Sequence, residues 1–425
     1  MPNDWNDVRY NLDVSSNFSE IYNSPYYTDA VYDKFSPAEY ERRYALAREK
    51  MRREGVDALI LTGGSNNWSF GAGVNWSSGL LDKRGISQYV VLPLVGEPML
   101  VYGHSGIHME ATRRAVAIKD VRGSRGGKFG YAIADRLEEL GLQEGRVGVL
   151  PIDRNGPEYM GLMCYQQLME RHPKLELVFL PDLLHELMLI KSEEEIAAMT
   201  KAGELMVKSL EALVEAARPG VKEYQLEAAA THAIMNEGGH VHFMIIGSTS
   251  MHDPRLIFPN PHPSHRELKE GDIILTEMTG AYKGYSAKIG QPITIGEPTE
   301  EFDRFYKEIV VPGYRLIEDQ IKPGKTIEDV REAGSYFREK GEQSRPILAH
   351  GLDLITAPPY ISLDKIGGAS PEDVIQPGMT FSIEITPVKA DGTFGMFLSR
   401  SYVVTEDGHI DITPYPMDEL VVVPA

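Results

Sequence analysis

The chain of 425 residues has a single cysteine, Cys164, so no intrachain disulfide can form. A lone cysteine can serve as a nucleophile. This one lies in YMGLMCYQQLME, an apolar helical run in which a thiol reads as inert packing. Basic residues are scarce against acidic ones: 43 Lys and Arg stand against 62 Asp and Glu, for a net charge of −19. That balance excludes a nucleic-acid footprint, which needs Lys and Arg clustered on one face. Long apolar runs are also missing, and none approaches the roughly 20 residues of a membrane span. The amino-terminal MPNDWNDVRYNLD lacks the basic and apolar regions of a secretory signal. These absences set the expectation of a cytoplasmic protein that engages neither nucleic acid nor membrane.

What remains is ordinary globular material, 42% hydrophobic and 25% charged. The length exceeds the roughly 250–300 residues at which a single core stops growing, so two domains are expected. Residues 1–35 are polar and rich in Tyr and Asn without periodicity, and read as an arm. Ser36, Pro37, Glu39 and Gly55 then carry the start and stop signals of a helix. DALILTG reads as a strand buried on both faces, and SQYVVLPL with EPMLVYG as a hairpin. Strands and helices alternate up to residue 188, which points to an α/β domain with a mixed sheet over 36–188. Ser192 and Glu195 form a capping-box pattern for a long helix ending at ARPG. Beyond it the alternation is irregular, and 189–425 reads as an α+β domain.

Four blocks in this second part occur in a recognisable order: LMLIKSEEEIAAMTKAGEL (Leu187 to Leu205), LKEGDIILTEMTGAYKGYSAKIGQPITIG (Leu268 to Gly296), ILAHGLDL (Ile347 to Leu354), and IQPGMTFSIEITPV followed by SRSYVVTEDG. Together they resemble the creatinase, aminopeptidase P and prolidase superfamily (peptidase M24). The resemblance implies a pita-bread second domain of curved antiparallel sheets with the site on the concave face. It also implies a homodimer in which the site lies near the subunit interface.

Metal-dependent members hold two ions on two Asp, one His and two Glu. The corresponding positions here are Glu277, Lys288, His350, Glu384 and Ser399. A lysine in place of a bridging carboxylate and a serine in place of another remove anionic charge that two dications require. The expectation is therefore no metal and no cofactor, as in the creatinase and ectoine hydrolase branch. Glu277, Glu384 and His350 are the candidate catalytic residues: two carboxylates and an imidazole can hold a polar substrate and move protons. Lys288 is a candidate for substrate binding.

The general-base histidine of that branch falls on Asn260, with His262 and His252 as its nearest substitutes. His240 and His242, alternate residues of a strand, share one face and are further candidates for the pocket wall. In NWSSGLLDKRG, Trp76 and Arg84 fall where creatinase sends residues into the neighbouring subunit's site. The function expected on these grounds is a metal-independent hydrolase of a non-peptide C–N bond (amide, lactam, amidine or guanidino) in a small polar molecule. A lyase acting by proton abstraction and an inactive peptide- or protein-binding module remain as alternatives.

Overall fold

A computed structural model describes residues 30–63, 71–81, 86–103, 107–124, 126–152, 159–354 and 356–425. The chain divides into two compact units, Met1–Met188 and Leu189–Ala425. Most of the amino-terminal arm, and Arg84, lie outside the described residues.

In the first unit the Ser36 hydroxyl accepts the Glu39 N–H at 3.1 Å and opens a helix over Pro37–Glu54. Gly55, at φ 63°, ends it. Six strands follow: β1 (Ala58–Gly63), β2 (Gln88–Pro93), β3 (Met99–Tyr102), β4 (Asp120–Gly123), β5 (Arg146–Leu150) and β6 (Glu176–Phe179). They form one mixed sheet in the order β4-β3-β2-β1-β5-β6. β1 is buried throughout, as its unbroken apolar run requires. β2 and β3 pair as the expected hairpin. Helices Phe129–Glu139 and Leu162–Arg171 cover the sheet's apolar cluster, in which Cys164 is buried. Burial pushes its thiol up to about 12, so it is protonated packing material and no nucleophile.

The second unit opens with the helix Glu193–Ala216, capped reciprocally by Ser192 and Glu195. Its strands are β7 (His240–Ser250), β8 (Asp272–Tyr282), β9 (Tyr285–Ile289), β10 (Ile293–Ile295), β11 (Gln343–Ser344), β12 (Ile347–Leu352), β13 (Thr356–Ser362), β14 (Ile366–Gly367), β15 (Thr380–Ile385), β16 (Pro387–Val388), β17 (Leu398–Val404), β18 (His409–Asp411) and β19 (Val421–Val423). One sheet runs β19-β10-β8-β7 with β9 also on β8, and a second runs β14-β13-β12-β15-β17-β18. Every pairing in the second is antiparallel. A core of aromatic and aliphatic side chains, including Phe302, Phe337, Phe381 and Phe394, packs the helices of residues 300–339 against these strands. Full burial of each such ring is worth about 1.5–3 kcal/mol. The fold is thus an α/β first domain and an α+β pita-bread second domain.

Three sets of bonds join β9 to the second sheet. Gly290 and Ser399 exchange backbone bonds, N to O at 3.0 Å and 3.1 Å. A side chain at 290 would meet Phe397 at 2.4 Å and the Thr276 carbonyl at 2.8 Å, so this close approach needs glycine. The Ser401 hydroxyl accepts from the Lys288 N–H at 2.8 Å and donates to the Lys288 carbonyl at 2.9 Å. The Ser286 N–H and hydroxyl both donate to the Asp353 carbonyl at 2.7 Å, next to the end of β12.

Candidate active site

The β8–β9 turn sets the geometry. Lys283 (φ 52°) and Gly284 (φ 90°) make a two-residue turn between paired Tyr282 and Tyr285. Both central residues have positive φ, the form that matches hairpin twist. That turn places Lys288 opposite Thr279, on the face that also carries Glu277. Lys288 is the diagonal neighbour of Glu277, within reach of a long side chain. In the second sheet Ser382 lies opposite His350, and Glu384 opposite Ser399.

Four of the residues expected from sequence meet here. The Lys288 Nζ donates to Glu277 Oε1 at 3.0 Å and to His350 Nε2 at 3.2 Å, and makes a shorter bond to Glu384 Oε2. All four side chains are buried. His350 Nδ1 lies 2.7 Å from the Gly351 carbonyl, which can only accept, so Nδ1 carries a proton and Nε2 faces Lys288 as an acceptor. The three ammonium protons therefore have three acceptors, and Lys288 is saturated.

The two carboxylates are pushed apart. Burial raises Glu277 above the usual carboxylate range, against the pull of Lys288. Burial also works to raise Glu384, but the Lys288 ammonium outweighs it and holds Glu384 well below that range. For Lys288, burial opposes the charge, while Glu384 and Glu277 overcome it and raise its pKa. Glu384 is the fixed counter-ion and Glu277 the group that more readily takes a proton.

Around the cluster, Phe243 of β7 lies with its ring centroid 5.5 Å from the Lys288 Nζ. The hydroxyl of Thr279 is buried without a hydrogen-bond partner among the described residues. Nothing in the sequence marked Thr279, because a threonine in a strand is unremarkable until its cross-strand neighbour is known. Ser399, at the fifth position, shares a 3.2 Å hydroxyl contact with Ser382 rather than joining the cluster.

His240 and His242 are buried and stacked, ring centroids 5.3 Å apart, beside a bulge that sets His242 and Phe243 together against Thr279. Burial pushes His242 down to about 3, so it is neutral. His262 is exposed, its N–H on Asn260 Oδ1 at 3.1 Å, and makes no bond to the cluster among the described residues. His252 is exposed beyond Ser250, which pairs with Asp272, roughly 17 Å along β8 from Glu277 at strand spacing. Trp76 is corrected. It belongs to a short buried helix, Ala72–Ser78, bracketed by Gly71 and Gly79 at positive φ, and is itself fully buried. Its carbonyl accepts from Arg43 at 2.7 Å, and the Arg43 guanidinium lies 5.8 Å from its ring centroid. An indole packed this way is core and not a loop-borne substrate contact.

The donor set does not fit a pair of divalent ions. Two such ions need shared anionic oxygens. Here an ammonium occupies the centre and a serine the fifth position, and no group of three or more His, Cys, Asp or Glu arranged for a metal is found among the described residues.

Residues 197–406 match the model of metallopeptidase family M24. Over those residues the second unit is similar to the M24 peptidase family. The chain is 28% identical over 401 residues to a protein named probable dipeptidase PepE of Mycobacterium tuberculosis (strain ATCC 25618 / H37Rv), covering 92% of this chain and 98% of that one. It is 24% identical over 403 residues to a creatinase of Bacillus sp. (strain B-0618), covering 91% and 93%. The crystal structure of dipeptidase PepE from Mycobacterium ulcerans matches with a TM-score of 0.72 at 25% identity, over 92% of this chain and all of that one. No helix among the described residues is long and apolar enough to cross a membrane.

These matches correct the expected function. Hydrolysis of a non-peptide C–N bond rested on the resemblance to the creatinase and ectoine hydrolase branch, which was chosen for the departures at Lys288 and Ser399. Those departures bear on metal ligation and say nothing about which bond is cleaved. Similarity to proteins named dipeptidases, over nearly the whole chain, points away from that chemistry.

Proposed function

We propose that the chain is a hydrolase of short peptides whose site is organised around the Lys288 ammonium in place of a divalent ion. The observation that carries this reading is the convergence of Glu277, His350 and Glu384 on Lys288 Nζ, within a domain whose relatives include proteins named dipeptidases. In this reading the scissile carbonyl oxygen replaces Glu277 as the third acceptor of Lys288, because Glu277 is the partner that burial drives toward neutrality. Water adds to the carbonyl carbon, and Glu277 takes its proton. The ammonium stabilises the oxyanion that forms. When the carbon–nitrogen bond breaks, Glu277 returns the proton to the leaving amine, giving a carboxylic acid and an amine. Glu384 and His350 hold the lysine in place throughout. The Thr279 hydroxyl and the Phe243 ring supply one polar and one apolar contact to the bound peptide.

Purified protein assayed against a dipeptide and tripeptide panel tests this. Turnover of at least one member should be seen, and Glu277→Gln should lower kcat by about 10²–10⁴-fold with little change in melting temperature. Turnover that survives in Glu277→Gln, or no hydrolysis across the panel, contradicts the reading.

A further inference from the structure

The two faces of the second sheet keep different company. Ala349, Ile383 and Ile385 belong to the apolar core beneath the helices. Their neighbours His350 and Glu384 therefore point the other way, to the face where they meet Lys288. Thr386 lies two residues beyond Glu384 and keeps its facing. The β11–β16 register, Ser344 opposite Pro387, carries Arg345 to a place opposite Thr386, and the Arg345 N–H donates to the Thr386 carbonyl at 3.0 Å. Arg345 thus stands on the reacting face, about 7 Å along the strand from Glu384.

A loop walls off this end of the face. The Asn260 carbonyl accepts from the Ile246 N–H of β7 at 3.0 Å. A side chain at Gly247 would meet the Asn260 nitrogen at 2.7 Å, and one at Gly395 would meet the Ile257 carbonyl at 2.5 Å. Residues 257–260 therefore run from β7 to the connection between β16 and β17. Within them Phe258 stands edge-on to Phe397, ring centroids 5.4 Å apart, and carries the Arg345 guanidinium on its own ring, 3.7 Å from the centroid. Both Phe258 and Arg345 are half-buried. Stacking fixes the guanidinium plane and leaves the N–H donors on its rim. Among the described residues those donors have no ion pair and no hydrogen bond. A fixed guanidinium with its donors open is a receptor for a carboxylate.

We propose that Arg345, held by Phe258, binds the C-terminal carboxylate of the substrate. The assignment rests on the peptide reading above and gives it a length and an end. A peptide advances at most about 3.6 Å per residue, so a carboxylate on Arg345 lies about two residues from a carbonyl at the level of Glu384. The loop at 257–260 blocks any extension past that carboxylate. The substrates are then short peptides with a free C-terminus, cut about two residues from it.

Calorimetry on full-length Glu277→Gln protein, titrated with trialanine and with trialanine amide, tests this. The acid should bind at least about tenfold more tightly than the amide. Adding Arg345→Gln should remove that preference with little change in melting temperature, and Arg345→Lys should keep part of it. Phe258→Leu should weaken binding of the acid and not of the amide, and it serves if Arg345→Gln does not fold. Equal binding of acid and amide, no measurable binding of either, or a preference that survives Arg345→Gln overturns the assignment. The readout is binding, so it can fail while natural protein still hydrolyses peptides, and it can succeed where no hydrolysis is seen.

Discussion

Two buried cations lie close together in the second unit and are held in opposite ways. Arg400 points to one side of β17 and bonds only uncharged oxygens: the carbonyls of Gly290 (2.9 Å), Ser399 (2.8 Å) and Tyr415 (3.2 Å), and the side chain of Gln291 (2.6 Å). Lys288, tied by its backbone to Ser401 of the same strand, bonds two carboxylates and an imidazole. The hydrogen-bond partners of Arg400 cannot change protonation, and it serves as a clamp on the Gly290–Ser399 bridge. Those of Lys288 can exchange protons, and the pKa values of the two carboxylates are already driven apart. A buried charge among carbonyls is architecture. A buried charge among titrating groups is where chemistry is to be sought.

The largest expected effect that would break this comparison is on stability. Lys288→Met leaves two carboxylates facing each other in the interior and should cost about 3–5 kcal/mol. Arg400→Met leaves Gly290 and Ser399 still bonded to each other and should cost less, about 1–2 kcal/mol. Denaturant unfolding of the two variants checks the order. Adding Glu277→Gln to Lys288→Met should recover at least about 1 kcal/mol, because the pair is coupled. Equal losses in the two single variants, with no recovery, would show that Lys288 is held as Arg400 is.

The next effect is on pH dependence. Glu277 has a raised pKa in the folded chain, so its ionisation costs stability: the cost is absent below its unfolded value and complete above its folded one. Glu384 is depressed, so its contribution is present above its unfolded value and is lost as pH falls toward the folded one. Lys288 is raised, and its contribution, whole below 10.5, is lost as pH rises through its folded value. As the base, Glu277 must be ionised. The acid limb of kcat/KM should therefore lie above 4.5, the ordinary value for a glutamate, and fall about tenfold per pH unit below its midpoint. A limb at or below 4.5 would place the base elsewhere.

Much of the fold was legible in the sequence because its signals are local. The Ser36 and Ser192 caps, the continuous apolar run of β1 and the β2–β3 hairpin each depend on a few adjacent residues. The site was legible only in part. Glu277, Lys288, His350 and Glu384 stood out by their place in ordered blocks. That they share one nitrogen depends on the Lys283–Gly284 turn and on three long-range sets of bonds that leave no pattern in a linear chain. Thr279 and Arg400 were silent for the same reason. Trp76 misled because it was assigned by its place in the resemblance to creatinase alone, whereas here it lies in a short helix small enough to bury whole. The bond that is cleaved was misread because it was carried over from the creatinase and ectoine hydrolase branch, chosen for departures at Lys288 and Ser399 that speak to ligation alone.

The most direct test of the central claim is peptide turnover by protein dialysed exhaustively against chelator, with bound metal measured on the same sample. The account predicts unchanged turnover at a metal content far below one ion per chain. Turnover that disappears on chelation and returns with added manganese or cobalt would contradict it.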